Sequence, residues 1–233
     1  MSEIKNGLLI DSKVTHQIVT NIERPGFDFK KINAIIIHQT DSYNALNTID
    51  WWKTSPYGAH FIIDRGTGTT QETKLISKKP LKYKYSGKII SYDGIDGKIY
   101  QSAHLDKRCN HAGKLRDKKY PNNYNSIGIE FVCKYDEVAE FYSPSSNAQI
   151  QSGAWLVQTL IQLITTIPSM EAVYAHGMIA YKKPSEGGST LEKISEELKP
   201  KDIKIESSCT EIMQRLFPYL CNQPTSPFPK KNP

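Results

Sequence analysis

The sequence predicts an α/β domain of the α+β type, in which a central mixed β-sheet is flanked by helices. Three observations lead to this prediction. Short runs rich in β-branched residues recur along the chain, as buried strands do. Two of these runs read as the arms of one hairpin, which adds an antiparallel pair to the sheet. Other segments carry apolar residues at helical spacing, which predicts amphipathic helices packed on the sheet.

Five strands are predicted, each from a short apolar run bounded by polar or turn residues. They cover residues 33–40, 59–64, 97–104, 125–135 and 172–177. The second and third runs are the expected hairpin arms. The fourth run, NSIGIEFVCKY, is apolar on both faces, so it is expected in the middle of the sheet.

Helices are predicted after the first strand and after the fourth. Residues 43–54 have apolar side chains at helical intervals, with Asp41 or Ser42 as the candidate N-cap. Residues 147–167 form a longer amphipathic pattern, which Ser146 can cap. Two further helices are predicted near the C-terminal end, at 191–198 and 209–220.

The chain of 233 residues is long enough for one substantial core. We predict one domain over 32–190, preceded by an N-terminal extension (1–31) packed on it and followed by a helical extension and tail (191–233). An insertion of about 66–97 separates the hairpin arms, and within it six lysines lie between positions 74 and 88 without an acid. Such a long connection usually has a purpose, although a plain solvated basic hairpin is the alternative.

The composition bounds the class of protein. Hydrophobic residues at 38% and charged residues at 23% are typical of a soluble globular protein. A net charge of +6 favours an anionic partner, which could be nucleic acid, a membrane surface or an acidic polymer, but no nucleic-acid-binding motif is present. No signal peptide or membrane span is expected, so the chain is predicted to start in the cytoplasm.

The four cysteines do not form a CxxC pair, which argues against a structural zinc cluster. Cys209 and Cys221 could form a disulfide in an oxidising compartment, and two free buried thiols are the alternative.

Two histidines and one glutamate make a candidate metal site. His38 and His176 each end a predicted strand, so both imidazoles emerge at one sheet edge if the strands are neighbours. Glu186 follows ten residues after His176 in a turn-rich loop. A catalytic zinc takes three such protein ligands and keeps a fourth position for water. Taken singly, a strand-end histidine is more often structural and a loop acid is usually solvated.

Glu130 is the candidate general base, because it falls inside the apolar run of the fourth strand. An unpaired carboxylate there would be unfavourable without a function. Alternation places Gly128 and Glu130 on one face and Ile127, Ile129 and Phe131 on the other. An edge strand with Glu130 in solvent is the alternative.

Five blocks, in this order, resemble the zinc-dependent N-acetylmuramoyl-L-alanine amidases (amidase type 2), a family that includes the peptidoglycan recognition proteins. They are AIIIHQT, AHFIIDRGTG, DGKIYQSAHLDKRCNHAG, NSIGIEFV and AHGMIAYKKPSEGG, within about 32–190. The resemblance implies an amidase-like fold and Zn²⁺ as cofactor. It implies His38, His176 and Glu186 as metal ligands and Glu130 as catalytic acid/base.

The chain departs from the family pattern at three positions. Glu186 replaces the usual Asp or Cys ligand, and Ala59 stands where some members have a tyrosine. Pro184 occupies the position of the family lysine, so Lys183, with Lys182 as the alternative, is expected to supply the cation that stabilises an oxyanion. His60 and His111 resemble positions that line or support the site, and both are candidates for substrate binding together with Lys114 and Arg116, whereas His16 and His104 are interpreted as structural.

The implied reaction is hydrolysis of the amide between N-acetylmuramic acid and the L-alanine of the peptidoglycan stem peptide. A non-catalytic peptidoglycan-binding module is the alternative from another class, but such modules typically lack a full ligand set. We interpret the chain as a wall-lytic antibacterial effector or endolysin, which would act in the periplasm of a target cell or after release. Partners could then include an immunity protein or a secretion machinery; a cytoplasmic wall-recycling amidase is the other setting.

Overall fold

A mixed sheet with helices on it organises the part of the chain that the computed structural model describes, residues 2–25, 27–71, 89–137, 140–183 and 185–199. The strands are β1 (Glu3–Lys5), β2 (Leu8–Ile10), β3 (Val14–His16), β4 (Glu23–Arg24), β5 (Ala34–Asp41), β6 (Phe61–Ile63), β7 (Gly68–Gln71), β8 (Ile89–Tyr92), β9 (Ile99–Gln101), β10 (Arg108–Cys109), β11 (Ser126–Cys133), β12 (Tyr135–Asp136), β13 (Phe141–Tyr142) and β14 (Val173–Ala175). The α-helices are α1 (Ala45–Trp52), α2 (Asn147–Leu163), α3 (His176–Ile179) and α4 (Gly188–Glu197). Short 3₁₀ helices cover Thr20–Ile22, Phe29–Lys31 and Met170–Ala172.

The central sheet has the strand order β14-β5-β11-β6-β9-β3. Strands β14, β5, β11 and β6 run parallel, β6 and β9 pair antiparallel, and β3 lies parallel to β9. The sheet is therefore mixed, as predicted. The predicted hairpin arms are the β6–β9 pair, and β11 has a partner on each side, which confirms its central position.

Strand β11 presents different residues to the two faces of the sheet. Ile127, Ile129 and Phe131 are fully buried in the core. Helix α2 passes so close over them that a Cβ on Gly153 would lie 2.6 Å from the Phe131 ring, so a glycine is required at this crossing. Glu130 lies on the opposite face, together with the other even-numbered positions, and on this second face Val132 packs in a core cluster with Ile49 and Trp52 of α1.

The N-cap of helix α1 is Asn44, two positions after the predicted Ser42 and three after the predicted Asp41. The Asn44 side chain accepts a backbone hydrogen bond from the first turn at 2.7 Å. Asp64, which follows β6, accepts a second one from the Ala45 N–H, also at 2.7 Å. A carboxylate at a helix N-terminus also interacts favourably with the helix dipole. Asp64 therefore joins α1 to the sheet beside the site.

The other helices follow the predicted pattern with shifted ends. Helix α2 is capped by Ser146, as predicted, and ends at Leu163, before the predicted limit of 167. The C-terminal helix predicted at 191–198 is α4, which starts earlier, at Gly188. The strand predicted over 172–177 is shorter than expected, and His176 opens the one-turn helix α3 instead of ending a strand.

The periphery bears on the remaining predictions. Strand β3 shows that the N-terminal residues contribute an edge strand to the central sheet. Strands β7 and β8 pair antiparallel at the base of the predicted insertion. Residues 72–88 and everything after 199, including the predicted helix at 209–220 and the last two cysteines, lie outside the described residues. In the part of the chain that the structure describes, Cys109 and Cys133 are free and buried. None of the helices in that part is long and apolar enough to cross a membrane.

Candidate active site

The two candidate histidine ligands come from neighbouring strands. His38 lies within β5, and His176 directly follows β14, the parallel neighbour of β5. Both side chains are buried, with 1% and 2% of their surfaces exposed. Their ring centroids lie 4.2 Å apart. The structure therefore brings together two histidines that are 138 positions apart in the sequence.

Glu186 reaches the same point because the following glycine fixes the loop. Gly187 has φ of +79°, a left-handed conformation that side-chain-bearing residues rarely adopt. A Cβ at this position would lie 2.3 Å from the Ile37 carbonyl oxygen. The Gly187 N–H donates to Gln39 Oε1 at 2.9 Å, and the Gly177 N–H donates to the Glu186 carbonyl at 2.9 Å. The loop acid is thus held at a fixed place instead of being solvated.

The three side chains converge on one point. Glu186 Oε1 lies 2.7 Å from His176 Nδ1 and 3.3 Å from His38 Nδ1. Ligand atoms of the three residues all lie within 4.8 Å of one another. The far nitrogen of His176, Nε2, donates to the Ala112 carbonyl at 3.0 Å, which directs Nδ1 at the carboxylate. Metal-binding histidines are commonly oriented by such a bond on the other ring nitrogen.

Burial sets the charge of this cluster. Burial and the neighbouring His176 lower the pKa of His38 to about 4, so its ring is neutral at pH 7. Burial alone would raise the pKa of Glu186, but the neighbouring His176 and His38 outweigh it and lower that pKa to about 2. A neutral imidazole and an ionised carboxylate are the forms that bind metal. A proton could satisfy the His176–Glu186 pair alone, whereas a zinc ion would satisfy all three groups, so the donor set fits zinc.

Glu130 lies beside the ligand cluster, on the site face of the sheet. It occupies the position of β11 paired with His38 on β5, and adjacent strands lie about 4.8 Å apart. The residue is half-buried, and its Oε2 is buried without a hydrogen-bond partner among the described residues. Burial, and next the charge of Glu186, raise the pKa of Glu130 well above its usual value, against an opposing effect of Lys182. Oε2 is therefore buried and also lacks a structural partner among the described residues, as expected of a group that takes part in a reaction.

The structure distinguishes between the two candidate lysines. Lys183 Nζ lies 3.1 Å from the centre of the Tyr135 ring and 3.3 Å from Glu137 Oε1, so its charge is engaged away from the cluster. The charge of Lys182, in contrast, lowers the pKa of both His38 and Glu130. A Cβ on Gly113 would lie 3.4 Å from Lys182 Cε and 3.6 Å from His176 Nε2, so the Lys182 side chain passes close to the cluster and is favoured over Lys183.

His60 and His111 are buried, so neither offers a free nitrogen to a substrate. His60 Nε2 donates to the Lys107 carbonyl at 2.9 Å, and its Nδ1 accepts from the Gly128 N–H at 3.2 Å. His111 Nδ1 faces His38 Nε2 at 3.1 Å. Burial lowers the pKa of both histidines, to about 4 for His60 and well below the usual value for His111. His111 adjoins His38, so its geometry fits support of the site, whereas the ring nitrogens of His60 bond only to backbone groups.

Lys114 and Arg116 line an exposed rim beside the cluster. Two loops pair there: the Arg116 N–H donates to the Ile179 carbonyl and the Tyr181 N–H donates to the Lys114 carbonyl. Both cations lie over the exposed Tyr181 ring, with Nζ of Lys114 at 5.6 Å and Cζ of Arg116 at 5.2 Å from its centre. This rim can accept carboxylates of a bound peptide.

A cleft that Glu130 helps to line was not predicted from the sequence. It encloses about 310 Å³ and is lined by Thr40, Asp41, Ser42, Asn47, Thr48, Trp51, Trp52 and Glu130. Trp51 is 58% exposed although it is a large apolar residue. The pair Trp51–Trp52 was the available signal: helical spacing buries Trp52 and turns Trp51 outward.

The mixed sheet, with two histidines and a glutamate at one edge and a half-buried glutamate beside them, defines an amidase-like α/β domain. Comparison with protein families agrees with the geometry. The chain belongs to the N-acetylmuramoyl-L-alanine amidase family, whose model matches residues 28–188. The predictions of an amidase fold and of an enzyme of this family are thereby confirmed. No curated protein matches the sequence at a significant level.

Solved structures share the fold at low sequence identity. A selenomethionine derivative of AmpD superposes with a TM-score of 0.52 at 17% identity, over 82% of this chain and 98% of that one. The catalytic domain of PlyG gives a TM-score of 0.50 at 14% identity, with coverages of 82% and 99%. AmpDh3 from Pseudomonas aeruginosa gives 0.50 at 18% identity, with coverages of 86% and 71%. These likenesses establish the fold and leave the site to be argued from this chain's own residues.

Proposed function

We propose that this chain is a zinc-dependent peptidoglycan amidase that hydrolyses the bond between the lactyl group of N-acetylmuramic acid and L-alanine of the stem peptide. The observation that carries the proposal is the convergence of His38, His176 and Glu186 within 4.8 Å, beside the unpartnered carboxylate of Glu130. Two histidines and a carboxylate are a common ligand set of hydrolytic zinc.

His38, His176 and Glu186 would hold the zinc ion, which when bound supplies Lewis-acid polarisation of the scissile carbonyl and acidifies water. Glu130 has the complementary task. Its Oε2 accepts a proton from the attacking water and returns it to the amide nitrogen as the carbon–nitrogen bond breaks. The raised pKa of Glu130 suits this exchange, because a group that must both take and give a proton works best with a pKa near the working pH.

Lys182 is the proposed electrostatic partner of the reaction. Its charge acts on both His38 and Glu130, so it lies where negative charge would develop on the carbonyl oxygen. Fixed positive charge at that place stabilises the transition state more than the ground state. This proposal moves the predicted role from Lys183 to its neighbour.

The cleft and the cationic rim are the proposed substrate contacts. Trp51 presents an exposed ring on which a sugar face can stack, and it lines the same cleft as Glu130. Lys114 and Arg116 on the opposite rim would bind stem-peptide carboxylates. The net charge of +6 supports an acidic polymer as the partner.

We further propose that the chain acts on intact wall, as an antibacterial effector or endolysin, with an immunity protein or a secretion machinery as a partner. The basic insertion and the C-terminal extension motivate this proposal, since hydrolysis of small fragments needs neither. Purified sacculi and soluble muropeptides separate the two settings. An enzyme that cleaves only the soluble fragments would instead be a wall-recycling amidase.

The decisive experiment is digestion of purified sacculi followed by mass spectrometry of the products. The wild type and Glu130→Gln are compared with and without a chelator, and Glu196→Gln on the exposed side of α4 is the matched control. We expect free stem peptides from the wild type and the control, and a loss of about 10²–10⁴-fold for Glu130→Gln. Activity that survives both chelation and Glu130→Gln would refute the mechanism. Binding of sacculi without cleavage would favour the non-catalytic module.

A further inference from the structure

We infer that His111 is a positioning residue: through a chain of hydrogen bonds from the Ser126 carbonyl it fixes the tautomer in which His38 presents the bare Nδ1 to the metal site. This inference rests on the proposed role of His38 as a ligand. It assigns to His111 a task other than contact with substrate, and it explains why a buried histidine lies behind another buried histidine.

The outer end of this series of hydrogen bonds, at Ser126, determines which nitrogen of His111 carries the proton. Its Nε2 is 3.3 Å from the Ser126 carbonyl oxygen, which can only accept. The hydroxyl of Ser126 is 3.5 Å from the same nitrogen, but it already donates its proton to the Asn122 carbonyl at 2.6 Å. Nε2 of His111 therefore faces two acceptors and must carry the hydrogen. In the neutral ring, Nδ1 is then an acceptor.

The inner end of the chain transmits this choice to His38. His111 Nδ1 lies 3.1 Å from His38 Nε2, so an acceptor there requires His38 Nε2 to donate. The remaining nitrogen, His38 Nδ1, is then bare and faces Glu186 Oε1 at 3.3 Å, so two lone pairs meet there and a metal ion would satisfy both. The opposite tautomer would set two lone pairs against each other at the His111 contact. It would also place a hydrogen where a metal ion has to bind.

His176 also carries a hydrogen on Nε2, and no second imidazole is needed there, since its Nε2 donates directly to the Ala112 carbonyl. His38 lies within a central strand, where the sheet uses the nearby carbonyls for its own ladder. An imidazole from a loop supplies the missing acceptor. The loop is held in turn by Asn123, whose Oδ1 accepts from the N–H groups of His111 and Ala112 at 2.9 Å and 2.7 Å.

Gly128 makes room for the His111 ring. This residue lies on the site face of β11, two positions before Glu130. A Cβ on Gly128 would lie 2.7 Å from Cγ and 2.8 Å from Nδ1 of His111. Any larger side chain would push the ring away from His38. The glycine in the SIGIE block of the sequence therefore has a steric reason that belongs to the site and not to the backbone conformation.

A role of His111 in core packing alone is the competing explanation, and two variants separate it from the relay. His111→Phe retains the ring volume and removes the acceptor. His111→Asn loses volume but retains an oxygen near the place of Nδ1. The relay predicts that Asn binds zinc better than Phe, whereas packing predicts the reverse order. His60→Phe is the matched control, because His60 is an equally buried neighbour whose ring nitrogens bond only to backbone.

The test measures zinc affinity by chelator competition and histidine tautomers by ¹H–¹⁵N NMR, both on the full chain. We expect His111→Phe to bind zinc about 10–100-fold more weakly than the wild type. His111→Asn should lose clearly less, and His60→Phe should stay within about threefold. His111 should carry its hydrogen on Nε2 with and without zinc, and His38 should carry its hydrogen on Nε2 when zinc is bound.

Two results would overturn the relay. One is a wild-type His111 protonated on Nδ1, a measurement that stands even if no variant folds. The other is zinc affinity that is unchanged in His111→Phe, or lower in His111→Asn than in His111→Phe. A wild type that binds no zinc would count against the proposed function instead, and the tautomers would still decide whether the relay exists.

Discussion

Gly187→Ala should destabilise the protein and weaken zinc binding together, because this glycine holds Glu186 in place. Three effects bear on the variant. An L-residue in the left-handed conformation is unfavourable by about 1–2 kcal/mol. The bond from the backbone N–H of residue 187 to Gln39, about 1 kcal/mol, is lost only where the new side chain displaces the backbone. The new Cβ would also lie 2.3 Å from the Ile37 carbonyl oxygen, within a central strand that cannot retreat.

The expected loss is therefore about 3 kcal/mol or more in the free energy of unfolding, measured by chemical denaturation in the presence of a chelator. Gly113→Ala is the matched control. Gly113 also has a left-handed φ of +60°, but the nearest atom to its added Cβ is Cε of the flexible Lys182 side chain, at 3.4 Å. This control should lose only about 1–2 kcal/mol.

Zinc affinity distinguishes the two ways in which the loop can respond to Gly187→Ala. If the loop keeps its place, the full loss of stability is seen. If it moves away from Ile37, the loss of stability is smaller but Glu186 leaves the cluster and zinc binding weakens by at least about tenfold. The reasoning is refuted if Gly187→Ala matches Gly113→Ala in stability and also binds zinc within twofold of the wild type.

Two further predictions concern a lysine pair and a buried histidine. Lys182→Met should lower kcat on a soluble muropeptide by about tenfold or more, and Lys183→Met much less; equal losses would contradict the assignment. For His60, burial lowers the pKa from 6.5 to about 4, against weaker opposing effects of Lys107 and Glu23. Above pH 6.5 His60 is unprotonated in both the folded and the unfolded protein, so it adds no pH dependence to the free energy of unfolding. As the pH falls from 6.5 to 4, the unfolded chain binds a proton that the folded chain excludes, and stability decreases by up to about 3 kcal/mol. Denaturation curves at pH 7.5 and 5 should show a smaller acid loss in His60→Phe than in the wild type, and identical losses would rule out this account.

The sheet was predictable because its strands are marked by local patterns. Apolar β-branched runs indicate buried strands wherever they lie, and a run that is apolar on both faces indicates the centre. The periphery carries weaker signals. The edge strand Val14–His16 has a single buried residue, so its pairing with Ile99–Gln101 depends on contacts that no local pattern encodes. The N-cap Asn44 was missed for a similar reason, because Asp41, Ser42 and Asn44 lie within four positions and offer equivalent caps.

The candidate site likewise has residues that the sequence predicts and a residue choice that it does not. Glu130 was proposed because a carboxylate is unusual inside an apolar strand, whereas His38, His176 and Glu186 are ordinary when taken singly and were proposed from their combination and their order in the sequence. Which lysine serves the site was not predictable, since Lys182 and Lys183 are adjacent in an irregular loop and point to different neighbours. That direction is set by the pairing of residues 114–116 with 179–181, two segments far apart in the sequence. Local sequence patterns identify candidate residues, whereas the choice between the adjacent lysines depends on contacts between distant segments.

Strand β11 shows why the chemistry and the core can be so close. With a side-chain period of two, the same eight residues bury Ile129 and Phe131 under α2 and present Gly128 and Glu130 to the site. A one-residue slip in register would exchange the two sets, placing Glu130 in the core and bulky apolar groups where the His111 ring lies. The register of β11 against β5 is therefore under two constraints at once, one from the hydrophobic core and one from the steric need of His111. Stability and catalysis consequently depend on the same strand pairing, although they use opposite faces of it.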